Sequence, residues 1–139
     1  MAPPLTTHQA GLRDTALTTG YGLWAGLEVA EWAPARAVVA FRPRPEMLTP
    51  WGTLNGGVVS SLVEVPSFLA LLHTVEDGEL PVTNDIFVQH LRPLPGDARY
   101  MLTGTLLRRS RTMAWTDVVV EVDGAALTLA RITKTMRKA

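Results

Sequence analysis

One carboxylate stands alone in this chain. From Met47 to Val75 the only formally charged side chain is Glu64, set among Leu62, Val63, Val65 and Phe68. An ionised carboxylate in apolar surroundings is costly unless something stabilises it, so its presence asks for a reason. The bland reason is a solvated glutamate on an ordinary helix, but no second charge marks a wet face on this segment. The chemical reason is a general base or a nucleophile. Eight residues earlier stands Gly56, followed by Gly57 and preceded by Asn55. Glycines at a helix start serve close packing, or they leave backbone amides open to an oxygen that is becoming an oxyanion. Asn55 is a good helix N-cap, and its side-chain amide is also a hydrogen-bond donor. Arg108, Arg109 and Arg111 form a basic cluster that reads either as a solvated turn or as a local phosphate site. His8, His73 and His90 have no spacing that suggests a metal site, and His73 and His90 read as structural. The absence of cysteine removes a thiol nucleophile, a Cys-ligated zinc and any disulfide.

The elements that would position these residues follow from periodicity. Leu5 to about Thr15 reads as a short surface helix capped by Thr6 or Thr7, within an N-terminal arm of residues 1–20. Leu23–Glu31 and Ala37–Arg42 read as two strands joined by a connection over Trp32–Arg36. Leu54 to about His73 is too long for one strand and apolar on nearly all sides, the pattern of a buried helix. Pro66 should kink it just after Glu64, because proline cannot bond back to the Leu62 carbonyl. Four long strands follow: Pro81–Leu91, Ala98–Arg108, Thr112–Val122 and Ala125–Thr135. Asp123 and Gly124 suit a tight hairpin turn between the last two. Two strands, one buried helix and four strands make an α+β fold, an antiparallel sheet that needs a helix to cover it.

At 139 residues the whole chain, 1–139, reads as one domain able to bury a core. Thirteen basic residues balance thirteen acidic ones, so no overall field exists to attract nucleic acid or an anionic membrane. The N-terminus lacks the pattern of a secretion signal, and no uninterrupted apolar run is long enough to span a membrane. A soluble, cytoplasmic protein is expected.

The run Trp51-Gly-Thr-Leu-Asn-Gly-Gly-Val-Val-Ser-Ser-Leu-Val-Glu64 resembles the signature of hotdog-fold thioesterases of the phenylacetate-pathway and 4-hydroxybenzoyl-CoA type. Those proteins carry paired glycines at the start of the central helix and an acid eight residues after the first. Thr83-Asn-Asp-Ile-Phe-Val-Gln-His-Leu-Arg-Pro93 is similar to their third strand. The resemblance implies a hotdog fold, about six strands wrapped around one long helix, and hydrolysis of an acyl-CoA or aryl-CoA thioester. It implies Glu64 as catalytic carboxylate, the Gly56 amide on the thioester oxygen, and the Thr83 hydroxyl on the water or on Glu64. Gly57, Thr49 and the arginine cluster would contact substrate. No cofactor is implied beyond the CoA of the substrate, and no metal.

Two positions depart from the family pattern. Asn55 replaces its usual histidine, and Thr49 replaces an asparagine or glutamine. These changes leave open a non-catalytic acyl-CoA binder, whereas a hotdog hydratase or dehydratase would need the missing histidine. Gly56 and Glu64 lie roughly 12 Å apart along one helix, too far to grip one carbonyl together. A homodimer with antiparallel central helices would bring Glu64 of one subunit to the helix start of the other, as in family members, many of which pair into tetramers.

Overall fold

The computed structural model describes residues 3–138; Met1, Ala2 and Ala139, the ends of the expected domain span, lie outside the described residues. Helix α1 spans Thr7–Thr18, and Thr6 caps it through a reciprocal box with Gln9. Gln9 Nε2 then donates to the Val75 carbonyl at 2.8 Å, tying the arm to the far end of the central helix.

Leu23–Glu31 is not one strand. A six-residue helix, α2 (Gly20–Ala25), takes its first part, and strand β1 begins only at Glu28. Gly26 ends α2 in the left-handed conformation, φ 66°, and its N–H returns to the last-turn carbonyls, which a β-like sequence pattern does not reveal. Strands β1 (Glu28–Ala33) and β2 (Arg36–Phe41) form the expected hairpin with a tighter turn than Trp32–Arg36.

The apolar segment is helical from Gly56 onward, as α3 (Gly56–Leu62), α4 (Glu64–Leu71) and a final 3-10 turn over Leu72–Thr74. The interruption falls at Val63, just before Glu64 rather than just after it. Pro66 leaves the Leu62 carbonyl without its helical donor, so the turn that opens is the one preceding the proline. By length and composition alone Gly56–Thr74 is long and apolar enough to cross a bilayer, although Glu64 interrupts its apolar run. Here it packs against the sheet, with more than half of it buried inside the protein.

Strands β3 (Glu79–His90), β4 (Tyr100–Arg109), β5 (Met113–Val122) and β6 (Ala125–Lys138) complete a sheet of order β1-β2-β4-β5-β6-β3. All its pairings are antiparallel. Asp123 and Gly124, both with positive φ, make the turn between β5 and β6. This is the hotdog fold, with α4 packed on β2, β4 and β5. The contact is close at one point: a Cβ added to Gly104 of β4 would stand 2.2 Å from the Pro66 carbonyl oxygen. Buried Ser67 and Thr116 share a 2.6 Å hydrogen bond across the same interface. Leu62, Leu69, Leu71, Leu102 and Ile132 are all fully buried in the core, and each such side chain contributes about 2 kcal/mol.

Candidate active site

Alternation along β6 turns Thr128, Ala130, Ile132, Lys134 and Met136 toward the helix, and all are buried. Strand β3 runs beside it with Thr83 opposite Lys134, so both side chains face inward. The pairing then shifts between Thr83 and Asp85, a bulge at Asn84 that changes the phase of the strand. Beyond it Ile86, Val88 and His90 are the residues opposite Ile132, Ala130 and Thr128. The bulge therefore turns both Thr83 and His90, seven positions apart, to the helix side.

Glu64 meets this surface from the first turn of α4. Its side chain is 35% exposed, whereas that of Lys134 is only 3% exposed. Thr83 Oγ1 lies 2.8 and 2.9 Å from the two carboxylate oxygens. Lys134 Nζ lies 2.8 Å from Thr83 Oγ1 and 3.5 Å from Glu64 Oε1. An ammonium can only donate, so the Thr83 oxygen accepts from Lys134 and its own proton is directed to Glu64. Burial pushes the Lys134 ammonium below its ordinary value of 10.5, and the charge and hydrogen bond of Glu64 pull only part of the way back. The group borders a cleft of about 280 Å³, whose wall includes Tyr21, Ser61, Phe68 and Pro81.

Sequence reasoning passes over Lys134. A signal for it exists: it falls in phase with the apolar residues of its strand, where a lysine is out of place.

At the other end of α3, Asn55 Oδ1 accepts the Gly57 N–H at 2.8 Å. The cap consumes the Gly57 amide and leaves Asn55 Nδ2 as the end that can donate. Gly56 holds the first helical position, where the N–H has no intrahelical acceptor. His90 stands against it: a Cβ at Gly56 would come within 2.8 Å of Nε2. The Nδ1 of His90 shares a 2.8 Å hydrogen bond with Thr128. A second cleft, of about 540 Å³, is lined by Tyr21, Trp24, Asn55, Gly57, Val58 and Ser61. Tyr21 and Ser61 border both clefts, so the two follow one flank of the central helix.

The remaining positions are not brought to these clefts. Thr49 closes a turn, its hydroxyl 2.7 Å from that of Thr53 and its N–H 2.7 Å from the Thr53 carbonyl. Arg109 is not free for a phosphate. Its guanidinium donates to buried Glu79 at 2.6 Å and to the Ser110 and Arg111 carbonyls. Arg108 lies over the Trp115 ring, its guanidinium carbon 5.4 Å from the centroid, and Arg111 is exposed. A further concavity of about 400 Å³ on the outer sheet face, holding Phe87, Leu129 and the Asp117–Arg131 ion pair, lacks any carboxylate set opposite a hydroxyl. Among the described residues no three His, Asp or Glu side chains are grouped to hold a metal ion.

The sequence model of the thioesterase superfamily matches residues 52–128, which include the helix start, Glu64 and Thr83. Human acyl-coenzyme A thioesterase 13 is 29% identical over 104 residues, covering 73% of this chain and 74% of that protein. A solved structure of a mutant phenylacetic acid degradation protein, PaaI from Thermus thermophilus, superposes with a TM-score of 0.76. It shares 28% identity, over 83% of this chain and 96% of that one. The zebra fish thioesterase superfamily member 2 has the same fold, with a TM-score of 0.81 at 21% identity over 97% of this chain and 100% of that one. With more than half of its length under that family model and the hotdog architecture around it, this chain belongs to the thioesterase superfamily.

Proposed function

We propose that the protein hydrolyses acyl-CoA thioesters, with Glu64 as the carboxylate that delivers water or attacks the carbonyl itself. The observation that carries this reading is the contact of Thr83 and Lys134 with a partly exposed Glu64 in an open cleft. A carboxylate kept for stability alone would gain more by being replaced with an apolar side chain. The named activity of the human relative, acyl-CoA hydrolysis, supports the same substrate class.

In the hydrolytic step as general-base catalysis, Glu64 takes a proton from water and the water oxygen bonds to the thioester carbon. Negative charge moves to the carbonyl oxygen, which the Gly56 amide at the positive end of α3 receives, with Asn55 Nδ2 as second donor. The intermediate collapses by breaking the C–S bond, and the CoA sulfur takes up the proton, giving the free acid and CoA.

Each such site is shared between two copies of the chain. Glu64 and Gly56 of one chain lie roughly 12 Å apart along the helix, so a single carbonyl meets one from each subunit. Strand β3 ends the sheet, and Val82, Ile86 and Phe87 on it are exposed, which supports pairing at this edge. A tetramer would cover the outer face with Phe87 and Leu129. The nucleotide end of CoA is left Arg108 and Arg111 as candidate partners from the original cluster.

The test is thiol release from acetyl-, dodecanoyl- and phenylacetyl-CoA by the wild-type protein and by Glu64→Gln. The wild type should turn over at least one of the three, and the variant should lose at least about 100-fold in kcat while still binding the substrate. Binding without thiol release by the wild type would replace the enzyme with an acyl-CoA binding protein. Near-normal kcat in Glu64→Gln would remove Glu64 from the mechanism.

A further inference from the structure

A lysine is seldom buried to the degree of Lys134, which is 2% exposed, because desolvating an ammonium is costly before any partner is counted. Among the groups around it, one is a carboxylate, Glu64 on α4, and one a hydroxyl, Thr83 on β3; the Phe68 ring lies 6.0 Å away. Across the cleft Tyr21 of α2 is the one other titratable side chain in the wall. If stability alone governed this position, methionine would fill the same space without the desolvation cost.

We propose that Lys134 is a positioning residue for Glu64: its ammonium fixes Thr83 as a donor to the carboxylate and supplies the positive charge that faces it. The inference rests on Glu64 being the reacting carboxylate, as put forward above. Without the lysine, the Thr83 hydroxyl is free to rotate and to accept from water, and the carboxylate loses its fixed orientation. Misplacing a catalytic group by a fraction of its working geometry costs rate rather than affinity. The device acts within one subunit, because α4, β3 and β6 all belong to the chain that carries Glu64.

The full-length protein tests this through Lys134→Ala and Lys134→Met, with thiol release from whichever of the three acyl-CoA substrates the wild type uses best. Both variants should lose on the order of 100-fold in kcat with little change in KM, and Lys134→Met should melt no earlier than wild type. Lys134→Ala lacks the atoms of n-propylammonium, so added n-propylammonium should restore kcat where n-propanol does not. The wild type supplies an independent measurement if either variant misfolds. Its kcat should fall with a basic limb below pH 10.5, because burial makes Lys134 give up its proton early, and Tyr21→Phe should leave that limb in place.

Full kcat in Lys134→Met, rescue by n-propanol equal to that by n-propylammonium, failure of both additives, or a limb that moves with Tyr21→Phe would each overturn the proposal. Failure of the underlying reading is separately visible, since Glu64→Gln would then remain active.

Discussion

Arg109 and Arg111 stand two positions apart in one basic cluster, yet the fold uses them differently. Arg109 closes over Glu79, which is 2% exposed and also accepts the Glu76 N–H. Burial pushes the Glu79 carboxyl upward, but the Glu76 amide, the Arg109 guanidinium and the Lys138 charge together hold it below its ordinary value of 4.5. A lowered carboxyl contributes stability above the unfolded-state value and loses it as pH falls through the folded-state value. Arg109→Ala should therefore destabilise the protein by about 3 kcal/mol at neutral pH. The gap to wild type should narrow on acidification below pH 4.5. Arg111→Ala, on an exposed side chain, should change stability by less than about 0.5 kcal/mol. Urea titrations at neutral and acidic pH check both, and equal effects of the two substitutions would show the assignment to be wrong.

Residues of this kind mark the limit of reading a linear sequence. Glu64 is conspicuous because nothing charged surrounds it from Met47 to Val75. Lys134 is inconspicuous because Arg131, Arg137 and Lys138 surround it, and only strand phase separates the one buried cation from those that are more exposed. Arg109 resembles its neighbours in sequence for the same reason.

At the scale of elements, periodicity locates the long strands and the buried helix to within a few residues. It misses α2, whose six residues are too few to show a helical period against the β-like run that follows. It also misses the bulge at Asn84, since inserting one residue leaves a strand looking like a strand while exchanging its faces. The break beside Glu64 is legible from Pro66, but not the way the sheet receives it. Gly104 lets β4 pass beneath the Pro66 carbonyl, and a Cβ there would meet helix backbone, which cannot move aside as a flexible side chain would. Gly104→Ala should cost about 2 to 3 kcal/mol, visible as a lower urea midpoint with an unchanged slope. It should also lower kcat, because the strain falls on the helix turn beside Glu64. A neutral effect on both would mean that α4 can lift from the sheet at no cost.

For the whole molecule, the decisive question is whether Glu64 and Gly56 that act on one thioester belong to one chain or two. Helix geometry separates them by roughly 12 Å within a chain, and the break at Val63 lies between them without folding the helix back on itself. A two-fold axis between antiparallel helices solves the separation twice, giving two equivalent sites per dimer. Two inactive variants expose the arrangement: Glu64→Ala, and a chain altered at the helix start by Asn55→Ala with Gly56→Ala, whose new Cβ meets His90. Unfolded together and refolded as an equal mixture, they should form mixed dimers in which one site carries both lesions and the other carries none. Half of the dimers would be mixed and half of their sites intact, so the mixture should recover about a quarter of wild-type kcat per chain. If each site came from a single chain, every site would keep one lesion, and the mixture would be as inactive as its two parents.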